Sequence, residues 1–250
     1  MSVIRPIEVW TDAPVRAVFT TRTGGVSDGG YAGLNLGATS GDRPEAVRAN
    51  RAALCEALGL DAERVTMGHQ VHGSGVRVVD GPTRPGRFTG GLRDWPEGDG
   101  LTTARPGLAL VVLGADCLPV LLWRRDGSAV AAAHAGWRGL VDGVVEEALS
   151  ALGDPAGVAG AIGPGIGPEH YEVGGEVRER FAARFGEHVV HGRAVHLAAA
   201  AATALRDAGV PQSAITVLEA CTASDPERFF SYRRDGAACG RQAGVVWRSP

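Results

Sequence analysis

The sequence predicts one α/β domain over residues 1–250, built of mixed β-sheets with helices packed outside. Three observations carry that prediction. Short apolar runs bounded by glycine or charge (Leu108 to Leu113, Leu118 to Trp123, Ala129 to Ala133) suit strands buried on both faces. Other segments place apolar residues on one helical face. There is no internal repeat of solenoid length, and 250 residues is within the range where such a domain stays undivided.

In chain order, Val15 to Thr21 reads as a strand and runs into a glycine-rich turn region ending at Gly30. A helix starts near Asp42: Asp42 and Glu45 have capping-box spacing, Pro44 suits the first turn, Val47, Leu54 and Leu58 share a face, and Gly59 is a stop. Val65 to Val79 reads as two strands broken at Gly73, and Gly81 to Gly100, rich in Gly, Pro and Arg, reads as a surface loop. After the three apolar strands, Leu140, Val144, Ala148 and Leu152 place a helix over Leu140 to Leu152. Further helices are expected over Gly175 to Phe185 and Val195 to Ala208, and strands over Ala214 to Leu218 and Ala243 to Trp247.

Composition narrows the function. Apolar residues make up 44% of the chain, enough for a sizeable core. The net charge of −3 offers no basic face for nucleic acid. All 25 basic residues are arginine. A P-loop, which needs its phosphate lysine, and a Schiff-base enzyme, which needs a lysine amine, are therefore ruled out. No G-x-G-x-x-G follows a strand, which argues against a Rossmann cofactor site. Cys55, Cys117, Cys221 and Cys239 are dispersed and read as free thiols in a reducing compartment. The first residues lack an apolar core of signal-peptide length, and no run is long enough to span a bilayer. The expectation is a soluble cytoplasmic protein with no membrane association and no evident protein partner.

Three polar residues interrupt strand ends beside glycine turns: His72 in His-Gln-Val-His-Gly, Cys117 in Gly-Ala-Asp-Cys-Leu-Pro, and His134 in Ala-His-Ala-Gly-Trp-Arg-Gly. Strand ends meeting turns are where α/β sheets place chemistry. Two imidazoles and a thiolate suit Zn²⁺, and three protein ligands leave the open position of a catalytic site. Bound zinc brings the pKa of its water toward ~7. Residue type argues for this set more than spacing does, because no short-range motif forces the three together. Taken alone, Cys117 also fits a core position and each histidine a hydrogen-bonded surface position. Gln70, two before His72, would share its face on a strand and support it, whereas His69 would point the other way.

At these residues the sequence resembles the YfiH-type purine nucleoside phosphorylase family, formerly called multicopper polyphenol oxidase or laccase-domain proteins. The segments that carry the resemblance run in order along nearly the whole chain. They begin with Thr-Arg-Thr-Gly-Gly-Val-Ser from Thr21, Gly-Leu-Asn-Leu-Gly from Gly33 and Gln-Val-His-Gly from Gln70. Next come Ala-Asp-Cys-Leu-Pro from Ala115, Ala-His-Ala-Gly-Trp-Arg-Gly from Ala133 and Ile-Gly-Pro-Gly-Ile-Gly-Pro from Ile162. Tyr-Glu-Val from Tyr171 and Phe-Phe-Ser-Tyr-Arg-Arg-Asp-Gly from Phe229 complete the set. The resemblance implies a sandwich-like core of mixed sheets flanked by helices, related to cytotoxic necrotizing factor deamidase folds. It places the family's zinc ligands on His72, Cys117 and His134. It implies phosphorolysis of adenosine, inosine and methylthioadenosine, with adenosine deamination as a further activity. Copper is also linked to the family. Many members carry cysteines where this chain has Glu169 and His170, which argues against a multicopper centre here.

The remaining assignments are expectations. Asp116, next to a ligand, would move the proton in deamination. Arg22, Asn35 and Arg138 would form an anion site for phosphate near the ribose, with Gln70 also in the substrate site. Trp137 packs or stacks on a purine. Phe229, Phe230 and Tyr232 are read as core. The Gly163 to Gly167 segment is either a phosphate cradle or a rigid turn. Competing readings keep the site and change the chemistry. They are an amide hydrolase removing a misplaced serine from UDP-MurNAc-serine, a cysteine hydrolase built on Cys117, and a copper-dependent polyphenol oxidoreductase, for which three ligands make a poor set.

Overall fold

The computed structural model describes residues 4–10, 14–81, 86–90 and 95–250. The Met-Ser-Val start and parts of the Gly81 to Gly100 segment lie outside them. Two larger sheets form among the described residues. The first contains β1 (Ile7–Trp10), β2 (Val15–Phe19), β3 (Val65–Met67), β6 (Ala109–Gly114) and β13 (Gln242–Arg248), in the order β1-β2-β13-β6-β3. The second contains β4 (Val76–Val78), β5 (Gly100–Thr103), β7 (Leu118–Arg124), β8 (Val130–Ala135), β9 (Val158–Ile162) and β12 (Ile215–Val217), in the order β12-β9-β7-β8-β5-β4. Both are mixed: β3 runs parallel to β6 while β13 runs antiparallel, and β12–β9 and β4–β5 are parallel within an otherwise antiparallel sheet.

The sheets stack face to face. Alternation along each strand separates three cores. Phe19, Leu110, Val112 and Val246 from the first sheet meet Leu121, Trp123, Val130 and Ala132 from the second. The opposite side chains of β7 and β8, among them Val120, Leu122, Ala131 and Ala133, face a helical layer. That layer consists of α2 (Trp137–Asp142), α3 (Val144–Ser150), α4 (Gly175–Phe185) and α5 (Leu197–Asp207). On the far side, α1 (Pro44–Leu58) lays Leu54, Cys55 and Leu58 over Val18, Val111 and Val245. The result is the helix-flanked sandwich expected from the sequence. A short hairpin of β10 (Val190–His191) and β11 (Ala194–Val195) precedes α5, and α6 (Tyr232–Asp235) precedes β13.

Several details differ from expectation. The helix over Leu140 to Leu152 is two helices, because Gly143 takes the left-handed conformation (φ 92°) and caps α2. Helix α1 has Pro44 in its first turn and Gly59 in a left-handed C-cap, but its N-cap is Arg43 and no capping box forms. The Asp42 carboxylate instead accepts from Ser27 Oγ (2.6 Å) and Asn35 Nδ2 (2.9 Å). The two strands of Val65 to Val79 belong to different sheets. The Gly81 to Gly100 segment is not wholly a surface loop: Phe88 and Trp95 are buried against β3 and α1, and Asp99 is buried at the far end. The described residues hold no helix long and apolar enough to cross a membrane.

Candidate metal centre and adjoining cavity

The ligand atoms of His72, Cys117 and His134 lie within 4.8 Å of one another. Each comes from a different piece of backbone. His134 is in β8, paired with Pro119. Cys117 sits in the turn that carries the chain from β6 into β7. His72 lies in the loop between β3 and β4, with its ring edge-on to His134 at a centroid distance of 4.9 Å. His72 (φ 63°) and Asp116 (φ 92°) are the non-glycine residues with positive φ among those described. A left-handed conformation costs an L-residue roughly 1–2 kcal/mol, and one instance is a member of this cluster while the other adjoins Cys117.

Asp99 organises it. Its Oδ1 accepts from His134 Nδ1 (2.8 Å) and from the His72 backbone N–H (2.9 Å). Its Oδ2 accepts from the N–H groups of Val71 (3.0 Å) and Gly73 (2.9 Å). A carboxylate on Nδ1 fixes the imidazole tautomer and leaves Nε2 as the ligand atom. The same carboxylate holds the loop that carries His72. Burial alone would raise the Asp99 pKa, but the bonds from His134, Gly73 and Val71 hold it below the ordinary carboxylate value. Burial likewise opposes charge on Cys117 and His134. Their mutual attraction overcomes it, lowering the thiol and raising the imidazole, with Asp99 adding to the latter. Cys117 is therefore disposed to be a thiolate, the form that ligates a metal.

The residues fit a zinc-sized ion. A Cβ on Gly136 would lie 2.9 Å from Cys117 Sγ and 3.3 Å from His72 Cδ2, so the bare Cα keeps that side of the cluster clear. The donor set would be two imidazole nitrogens and one thiolate once a metal displaces their protons, with a fourth position left for solvent.

The cluster opens into a cavity of about 830 Å³, large enough for a small-molecule substrate. Met67, Trp95, Tyr171 and Tyr232 line it, together with Arg51, Arg233 and Arg241. Arg51 is fixed by Leu36 O and Phe88 O, and burial lowers it to about 10, which leaves it charged at neutral pH. Arg233 stacks on Tyr171 (4.9 Å), whose hydroxyl is pushed up to about 12 by burial and by Cys117.

Not every residue expected at the site is there. Gln70 lines the cavity, but its amide is doubly bonded to Leu113 N and O (2.8 and 2.7 Å), extending the β3–β6 pairing rather than supporting His72. His72 lies off any strand, so the argument from alternation does not apply. Asn35 is fully buried and bonded to Asp42, Ser40, Gly37 and Arg241, away from the cavity lining. Arg22 holds Ala32 O and Pro226 O and stacks on Phe230. Arg138 is exposed and stacks on Trp137 (4.6 Å). Neither Arg22 nor Arg138 lines the cavity. Asp116 does, with both carboxylate oxygens engaged, by Thr222 Oγ1 (2.7 Å) and by the Arg233 N–H (2.6 Å). Phe229 and Phe230 are core, whereas Tyr232 is exposed and lines the cavity. The Gly163 to Gly167 segment is a rigid turn: its N–H groups go to Pro119 O, Ala220 O, Asp116 O and Cys221 Sγ. Sequence reasoning missed Asp99, Tyr171, Arg233 and Arg241. The signal for the last two was that arginines are the chain's only long cationic side chains, but their positions depend on tertiary contacts.

Fold and cluster together define a laccase-like class. The family model described as "Multi-copper polyphenol oxidoreductase laccase" matches residues 16–249, and the chain belongs to that family. Its relatives there are YfiH-type proteins named as purine nucleoside phosphorylases. It is 41% identical over 240 residues to purine nucleoside phosphorylase YfiH of Escherichia coli, covering 93% of each chain. It is 40% identical over 252 residues to a purine nucleoside phosphorylase of Pseudomonas aeruginosa, covering 94% of each. Among solved structures it resembles YlmD from Geobacillus stearothermophilus (TM-score 0.88, 32% identity, 95% of this chain and 93% of that one). It also resembles Neisseria meningitidis protein NMB0706 (TM-score 0.85, 36% identity, 99% and 100%).

Proposed function

We propose that this protein is a zinc-dependent purine nucleoside phosphorylase acting on adenosine, inosine and methylthioadenosine, with adenosine deamination at the same site. The observation that carries the reading is the His72, Cys117 and His134 cluster at a cavity lined by aromatic side chains and arginines. The names borne by the relatives support it. Zinc held by the three residues would supply Lewis acidity at the cavity wall.

The chain's own residues do the rest. Asp99 holds His134 in the ligating tautomer. Trp95, Met67 and Tyr171 offer the apolar wall a purine needs. Arg51, Arg233 and Arg241 are cations that line the cavity; Arg51 is held by Leu36 O and Phe88 O, and Arg233 and Arg241 take the phosphate role expected of Arg22 and Arg138. Asp116 is the carboxylate proposed to move a proton in deamination, positioned by the hydrogen bond that Thr222 Oγ1 donates to its Oδ1.

The test is phosphate-dependent adenine release from adenosine by protein of measured metal content, with serine release from UDP-MurNAc-serine assayed alongside. Cys117→Ser is expected to lose most of its zinc and to fall at least 100-fold in phosphorolysis. Serine release without phosphorolysis would overturn the reading. Asp116→Asn is expected to lose deamination while retaining most phosphorolysis. Retention of full deaminase activity would remove the proton role.

A further inference from the structure

A second set of metal-type donors lies outside the site just described. The ligand atoms of Glu169, His170 and Cys221 are within 4.8 Å of one another. None belongs to the first cluster, and the proposed reaction uses none of them. Two segments bring them together. Residues 165 and 221 pair as a parallel bridge, with Gly165 N–H bonded to Ala220 O and Thr222 N–H to Gly165 O. That pairing sets Cys221 beside the turn carrying Glu169 and His170.

The local chemistry is suited to a cation. Cys221 Sγ accepts a hydrogen bond from the Gly167 N–H (3.2 Å), which fixes the sulfur beside the turn that carries Glu169 and His170. The Glu169 carboxylate folds back over the bare Cα of Gly167, where a Cβ would stand 2.3 Å from both of its oxygens, and this turns it toward Cys221. Ser224 Oγ donates to Glu169 Oε1 (3.3 Å) and steadies it. All three side chains are reachable from solvent.

We propose that Glu169, His170 and Cys221 form a second site for a divalent cation of the zinc type. One thiolate, one imidazole and one carboxylate are all zinc ligands, and solvent can complete the tetrahedron. Calcium and magnesium require an oxygen shell that a sulfur and a nitrogen do not provide. The site connects to the cavity wall. Thr222, next to Cys221, donates to Asp116, and Arg233 donates to both His170 O and Glu172 O. An ion here staples the 165–170 turn to the 220–224 turn and so steadies Asp116 and Arg233.

The inference does not depend on the proposed activity. The test uses the full chain, stripped by chelation and titrated with Zn²⁺ against a chromophoric chelator, then with Co²⁺ to read thiolate-to-metal absorption. Wild type is expected to bind two equivalents, Cys117→Ser or His72→Ala one, Cys221→Ser one, and Cys117→Ser with Cys221→Ser none. Glu169→Gln with His170→Ala is expected to weaken the second equivalent at least tenfold while leaving Cys221 in place. The second site is overturned if wild type and Cys221→Ser each bind one equivalent that Cys117→Ser abolishes, or if no form binds metal. A single equivalent lost only in Cys221→Ser would keep this site and refute the metal reading of His72, Cys117 and His134.

Discussion

Asp99 is a buried carboxylate whose two oxygens are both committed. Its carboxylate accepts four hydrogen bonds, three from consecutive backbone N–H groups of Val71, His72 and Gly73 and one from His134. Asp99→Asn keeps the shape but turns an NH₂ group toward N–H donors. The expected result is a stability loss of about 2–3 kcal/mol in urea unfolding, and zinc affinity lowered roughly 10–100-fold in chelator competition. Unchanged affinity would show that His134 needs no partner to ligate. At this scale the cluster itself was legible in the sequence. Histidine and cysteine at strand ends beside glycine are chemically conspicuous, and the family resemblance singled them out. Asp99 was not legible, because a lone aspartate in a Gly-Asp-Gly turn carries no spacing signal and its partners lie 26 to 35 positions away in sequence. Arg22 and Asn35 were misjudged for the converse reason. A polar residue beside a glycine-rich turn looks available until the fold shows which carbonyls and carboxylates it already serves.

Among the elements, the long apolar strands and the helix over Gly175 to Phe185 were read correctly, since their patterns have clear periods and clean ends. Strand β9 was missed. Val-Ala-Gly-Ala-Ile has few β-branched side chains and a central glycine, yet it pairs on both sides with β7 and β12. Tertiary pairing overrides weak propensity there. The break at Gly143 was also invisible, because the apolar register of Leu140, Val144, Ala148 and Leu152 runs straight through it. Gly143→Ala tests whether that break is intrinsic. With φ at 92°, alanine should destabilise the fold by roughly 1–2 kcal/mol in thermal unfolding. A stabilised variant would mean that α2 and α3 merge into one helix without cost.

For the whole molecule, the sandwich depends on how closely its sheets approach. Gly244 in β13 faces the second sheet, and a Cβ there would stand 2.7 Å from Pro119 Cβ and 3.2 Å from Leu121 Cδ2. Gly163 is equally tight against Phe19 and Pro119. Side chains press directly on the bare Cα atoms at this end, so a larger residue must displace them or push the layers apart. Gly244→Val is expected to cost about 2–3 kcal/mol, measured by chemical unfolding. An unchanged midpoint would show that the layers can separate freely there.

The chain passes from one sheet to the other at Cys117, between β6 and β7, and again around His72, between β3 and β4. Two of the three residues in the cluster therefore sit on bridges between the layers, and the third, His134, stands on a strand of the second layer. A cation held among them, as proposed, would act as a rivet through both plates. On the proposed metal reading, starving the protein of that cation would unfasten one edge of the sandwich as well as stop the proposed reaction, so supply of the ion and lifetime of the fold would become a single variable for the cell.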